Sequence, residues 1–121
     1  MQVVIGVGID LVDVDRFKGE GERGDIFTPD EIAYCASKHY PARHFAARFA
    51  AKEAFLKALG TGARTPGEFL LVEVIIDEMG APELVLKRAI KTRSEALGVT
   101  SIKLSLTHTE TTAAAVVVVE G

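Results

Sequence analysis

The chain has 121 residues, of which 48% are hydrophobic and 26% charged, and its 14 Lys and Arg against 17 Asp and Glu give a net charge of −3. That length suits one compact core and is short for two ordinary domains, so a single globular domain over residues 1–121 is expected. The composition excludes disordered and fibrous classes, the mild negative charge removes the global basic field that non-specific nucleic-acid binding needs, and no stretch approaches the ~20 apolar residues of a membrane span.

Cys35 is the only cysteine. An internal disulfide and a cysteine-cluster zinc site are both excluded, and a cytoplasmic setting is expected. The opening Met1 to Ile5 lacks a basic region, and its apolar run breaks at Gly6, Gly8 and Asp10, so it is not expected to be a signal peptide.

The first element reads as a buried strand, because Val3, Ile5, Val7, Ile9 and Leu11 share one face by period-two alternation. The other face carries Val4, Gly6, Gly8, Asp10 and Val12. Two positions without side chains beside a carboxylate indicate that something approaches the backbone there, read as a bulky phosphate or a partner chain. Lys18 to Asp25 is polar and glycine-rich, a mobile loop or frayed helix. Thr28, Pro29 and Glu31 then form a capping-box signature that opens a helix running to about Ser37.

A second, longer helix is predicted from about Ala42 to Leu59. Phe45, Phe49, Leu56 and Leu59 fall on one stripe, and Ala47, Ala51, Ala54 and Ala58 on the opposite one, so the helix is expected to be sandwiched. Glu53 and Lys57, four residues apart, lie in a seam between the stripes. Gly60, Thr61 and Gly62 end the helix in a flexible turn expected to leave backbone N–H groups free. Beyond it, Leu70 to Ile76 and Leu84 to Leu86 form a hairpin through Asp77 to Pro82. Lys87 to Leu97 is a helix closed at Gly98. Two last strands, Ser101 to Thr107 and Ala113 to Val119, enclose the polar tip His108 to Thr112. Strands at both ends with helices between predict an α+β fold, a small antiparallel sheet packed on the long central helix.

Other patterns carry less. Gly6 to Asp10 lacks the third glycine and the βαβ context of a dinucleotide fingerprint. Cys35, His39 and His44 have poor metal-ligand spacing and are interrupted by Pro41.

Three blocks, Gly6 to Val12, Arg48 to Gly62 and Ser105 to Thr109, in this order and spacing and with the Gly80-Ala81-Pro82 turn between them, resemble the signature blocks of holo-acyl-carrier-protein synthases. The resemblance implies the 4'-phosphopantetheinyl transferase fold and transfer of the 4'-phosphopantetheine arm of coenzyme A to a serine of apo acyl carrier protein, in fatty acid biosynthesis, with release of 3',5'-ADP. Charge then builds on a pyrophosphate, which calls for a hard cation such as Mg2+; Asp10 and Glu53 are the expected metal ligands. The resemblance places Lys57 near the pyrophosphate, Gly60, Thr61 and Gly62 beside coenzyme A, and Arg48, His108 and Thr109 at its nucleotide end. His108 is read either as a phosphate contact or as a proton-transfer group. A metal-bound water or a carboxylate serves equally well as the base for the serine proton.

A homotrimer with sites at subunit interfaces is also implied. The resemblance implies that the acidic carrier docks on a helix formed by the segment after Asp15-Arg16-Phe17, which here is unusually rich in glycine; Arg16 is the docking candidate, with Arg23, Lys38 and Arg43 as further ones. Two other readings use the same residues: a trimeric module that holds a nucleotide without turnover, and a transferase restricted to carriers of secondary metabolism.

Overall fold

The computed structural model describes residues 1–121. In chain order it contains β1 (Val4–Asp13), a short 3-10 turn (Val14–Phe17), α1 (Pro29–Ala36), α2 (Pro41–Ala58), a second 3-10 turn (Pro66–Leu71), the hairpin β2 (Val72–Ile76) and β3 (Pro82–Leu86), α3 (Arg88–Ala96), β4 (Ser101–His108) and β5 (Thr112–Glu120). All strand pairs are antiparallel: a three-stranded sheet in the order β1-β5-β4 and the separate β2-β3 pair. The architecture is the expected α+β one.

Local chemistry sets the element ends. Thr28 Oγ1 accepts from the Glu31 amide at 3.2 Å while Glu31 Oε1 accepts from the Thr28 amide at 2.9 Å, which is the reciprocal capping box that starts α1. Pro41 occupies the first turn of α2, where its missing N–H costs nothing. Gly60, with φ 86, takes the left-handed turn past the end of α2 that residues with a Cβ avoid.

Helix α2 is sandwiched as its two stripes require. Its alanine face lies on β1 and β5, and its phenylalanine face meets Phe27, Phe17 and Phe69, with ring centroids 5.0 Å apart for Phe45–Phe27, 5.5 Å for Phe49–Phe17 and 5.3 Å for Phe49–Phe69. One hydrophobic cluster of 24 buried residues runs through both sides.

The glycines of β1 have a different purpose from the one their pattern suggested. A Cβ at Gly8 would fall on the Ala54 carbonyl and within 2.9 Å of the Ala58 amide nitrogen, and one at Gly6 would fall on the Ala58 carbonyl. What approaches the strand is the backbone of α2, not a phosphate or a second chain. It follows that the buried face of β1 is the glycine face. The aliphatic face points outward, with Ile9 66% and Leu11 71% exposed, and Val3, Ile5 and Val7 open beside them. Helix packing at such short range selects the strand face that has no side chains, and the branched residues are left on the other.

The segment after Phe17 is a loop of turns and not a helix. Gly21 in it is fixed by the core, because a Cβ there would meet Cγ of Phe45 at 2.9 Å.

Gly8→Ala is therefore expected to destabilise the fold by at least about 2 kcal/mol in urea unfolding, whereas Gly24→Ala, with nothing within 4 Å of the added carbon, should stay within about 0.5 kcal/mol of the parent. Equal stability of the two variants would contradict the packing described.

Candidate functional site

Helix α2 divides the candidate residues into two groups, one on each flank. On the β1 flank, Asp10 lies three residues before the strand's end, and its side chain shares the glycine face. Lys57 reaches down from α2 so that Nζ lies 2.9 Å from Asp10 Oδ1 and donates to the Ile9 carbonyl at 3.2 Å. The i,i+4 pairing of Lys57 with Glu53 is not made. Glu53 has no ion-pair partner. Burial pushes its carboxyl above the usual range, and the Asp10 charge pushes the same way, against Lys57 and Arg16. Arg16 stacks its guanidinium over the Phe49 ring, 4.6 Å from the centroid, on the same flank.

The β1 flank thus sets two carboxylates close enough to repel against one paired lysine. No three or more His, Cys, Asp or Glu side chains come together as a set able to hold a metal ion. The protein's own contribution to a cation here is two oxygen donors. That donor set suits Mg2+, which takes one or two carboxylates and completes its shell with phosphate oxygens and water.

Glu53 is held in place by its neighbour in sequence. Lys52 is fully buried, 2.8 Å from Glu31 Oε1, and donates to the carbonyls of Phe69 at 2.7 Å and Val72 at 2.8 Å. Glu31 Oε2 accepts from the Val74 amide at 2.8 Å, and Thr28 Oγ1, which caps α1, donates to Glu73. Burial pulls the Lys52 ammonium below its ordinary pKa, against the attraction of Glu31. The network ties α1, α2 and β2 together and fixes the rotation of α2, so that position 53 faces β1.

The opposite flank is cationic. Arg48 is 3% exposed, with its guanidinium over the Tyr34 ring, 4.3 Å from the centroid. Its Nε is the one buried side-chain polar atom without a hydrogen-bond partner. Arg48 lines a cleft of about 280 Å³ together with Tyr34, His44, Pro82, Leu104 and His108. His108, at the end of β4, meets His44 edge-on at 5.2 Å between ring centroids. An unpartnered guanidinium nitrogen and two imidazoles in one cleft are donors awaiting an anion.

The remaining expected residues fall between or beyond these groups. At the C-terminal end of α2 the Gly60 and Gly62 amides are donated back to the carbonyls of Lys57 (2.9 Å) and Leu56 (3.0 Å), so this turn does not hold them free as expected. Thr61 Oγ1 donates to the Gly62 carbonyl at 2.9 Å. The Thr109 hydroxyl accepts from the Thr112 amide at 3.1 Å and closes the β4–β5 turn. Cys35 is buried, and burial pushes its thiol up to about 11, so it stays protonated and unreactive.

The chain's likeness to known proteins agrees with this geometry. The family model of the 4'-phosphopantetheinyl transferase superfamily matches residues 6–117. The chain belongs to that superfamily. A holo-[acyl-carrier-protein] synthase of Geobacter sp. (strain M21) is 44% identical, with the match covering 98% of this chain and 99% of the relative. Among solved structures, the holo-[acyl-carrier-protein] synthase of Neisseria meningitidis superposes with a TM-score of 0.87 at 35% identity, covering 98% of this chain and 100% of that one. The Bacillus anthracis synthase in complex with coenzyme A (3',5'-ADP) gives a TM-score of 0.78 at 31% identity, covering 98% and 97%.

The synthase signature blocks thus contribute to both flanks of α2. Tyr34 and His44 were not among the residues singled out by sequence for the site. His44 precedes Arg48 by one helical turn, and that i,i+4 spacing is the signal that places the two on one face.

Lys52→Met should leave Glu31 buried without its countercharge and cost about 3–5 kcal/mol in chemical unfolding. The double variant Lys52→Met/Glu31→Leu should recover a large part of that loss. A single variant as stable as the parent would show that the pair does not hold α2 in register.

Proposed function

We propose that this chain is a single catalytic domain that transfers the 4'-phosphopantetheine moiety of coenzyme A to a serine of an apo acyl carrier protein, releasing 3',5'-ADP. The carrying observation is the unpaired Glu53 beside Asp10 on one flank of α2, with an anion-seeking Arg48 on the other. Full-length similarity to holo-[acyl-carrier-protein] synthases, one of them described with coenzyme A, supports the reading.

In this reading Asp10 and Glu53 hold Mg2+, which when bound neutralises the charge that develops on the pyrophosphate. Lys57, already at Asp10, lies within reach of a pyrophosphate oxygen as a fixed positive charge. Arg48 and His108 hold the nucleotide end, with Thr109 beside them, and the turn Gly60, Thr61 and Gly62 borders the pantetheine path. The serine oxygen of the carrier forms a bond to the β-phosphorus as the bond to the 3',5'-ADP oxygen breaks, and the serine proton leaves through a carboxylate or a water held beside it. Arg16, exposed over Phe49 at the mouth of the β1 flank, is the proposed contact for the acidic carrier.

The two flanks call for more than one copy of the chain. Asp10 stands on one edge strand of the sheet and His108 on the other, and α2, about 10 Å across with its side chains, lies between them. The outward face of Ile5, Val7, Ile9 and Leu11, continued by Val116 on β5, is a contiguous apolar surface of the kind that marks an interface. A closed homotrimer covers that face and brings the β1 flank of one subunit against the β4 flank of the next. The setting is cytoplasmic, and no helix is long and apolar enough to cross a membrane. Fatty acid biosynthesis is the pathway proposed.

Incubation with coenzyme A, Mg2+ and an apo carrier should raise the carrier's mass by one phosphopantetheine, and Asp10→Asn or Glu53→Gln should keep the fold while removing most of this transfer. Full activity in both carboxamide variants would refute the metal assignment, and a carrier of unchanged mass with the parent protein would refute the function. Sedimentation at micromolar concentration should give the mass of three chains; a pure monomer would contradict the shared site.

A further inference from the structure

The β4-flank cleft contains more ionisable groups than the reading above uses. His44 projects from α2 into the same 280 Å³ cleft as Arg48 and His108, in edge contact with the His108 ring at 5.2 Å and with the Tyr34 ring at 6.3 Å. The charged and titratable groups around it are Arg43 and Arg48 from α2, Tyr34 from α1, Lys38 from the α1–α2 connection and His108 from β4, while the β2–β3 hairpin lines the cleft with only Ile76, Gly80 and Pro82. No carboxylate lines the cleft. In the free protein three of these neighbours are permanent cations and one is a second imidazole. Burial pulls the pKa of His44 down first, and His108, Arg48, Lys38 and Arg43 pull it the same way. An imidazole pair beside a guanidinium with an orphaned, buried Nε is a site whose missing partner is an anion.

We propose that His44 is a phosphate-binding residue of this cleft, acting with Arg48 and His108 on the phosphate monoester at the nucleotide end of coenzyme A, and that His44 takes up a proton as that phosphate enters. This deepens the reading of the cleft as the nucleotide-end site and rests on it. A phosphate monoester stays largely dianionic above about pH 6 and brings the only negative charge into the cleft. It reverses the electrostatics that lower the His44 pKa, so a proton is bound with the ligand. Binding therefore tightens as pH falls. The stack of His44 between Tyr34 and His108 holds the ring in position before the ligand arrives.

The test is calorimetric titration of 3',5'-ADP, without metal, into the whole protein in buffers of unlike ionisation enthalpy. The apparent binding enthalpy of the parent should depend on the buffer in the sense of net proton uptake, and affinity should rise between about pH 8.5 and about pH 6.5. His44→Phe keeps an aromatic ring against Tyr34 and His108 but carries no proton. It should bind roughly tenfold more weakly at the lower pH, the loss of one charge-assisted hydrogen bond, change little at the higher pH, and take up fewer protons. His44→Gln, which restores a donor without a titration, should regain part of the affinity with the flattened pH profile. Parent-like proton uptake and parent-like pH dependence in both variants would overturn the role of His44. Failure of the parent to bind 3',5'-ADP at all would overturn the nucleotide-site reading beneath it, a distinguishable result.

Discussion

The structure depends on one close approach, the backbone of α2 resting on the glycine face of β1. At Gly6 and Gly8 the strand presents only backbone to the carbonyls of Ala58 and Ala54, and any side chain there would push the helix away. The contact sets the height of α2 above the sheet. With the buried Lys52–Glu31 pair fixing its rotation, it also decides that Glu53 comes down beside Asp10 and that Lys57 reaches the carboxylate of Asp10. Packing and chemistry are the same interaction seen at successive turns of one helix, since Ala54 and Ala58 flank Lys57 in sequence and Glu53 precedes them.

The two flanks of that helix are electrostatically opposite. On the β1 side Lys57 pairs with only one of two carboxylates, and burial, reinforced by the Asp10 charge, raises the Glu53 carboxyl; on the β4 side an arginine nitrogen is buried with nothing to bind. Each flank is incomplete in a way that a ligand of opposite charge would satisfy: a cation for the first, an anion for the second. In the proposed function, a metal-bound pyrophosphate joined to a nucleotide phosphate would supply both in one molecule.

Much of this was legible in the sequence, because it rested on local rules. Thr28, Pro29 and Glu31 announced the start of α1, the two stripes of α2 announced a sandwiched helix, and Gly98 marked the end of α3. Asp10 and Glu53 stood out through the glycine pattern and the family blocks. The orientation of β1 was not legible. Alternation shows which residues share a face but not which face a helix will choose, and a row of Val, Ile and Leu opposite glycines looks like the buried side until the helix is seen to need the space that glycine leaves. The Gly60 and Gly62 amides, expected to be free, were likewise consumed by the helix end itself. His44 was passed over because its spacing was tested against metal ligands and not against Arg48, one turn away.

The central claim is that a working site is assembled from the β1 flank of one subunit and the β4 flank of its neighbour. It is tested most directly by co-expressing two individually inactive variants, Asp10→Asn and Arg48→Met, and measuring phosphopantetheine transfer by the mixed assemblies. If the halves come from different subunits, a mixed trimer contains sites in which both halves are intact, and random mixing should restore about a quarter of the parent activity. Activity that stays at the level of the separate variants would show that each subunit builds its site alone.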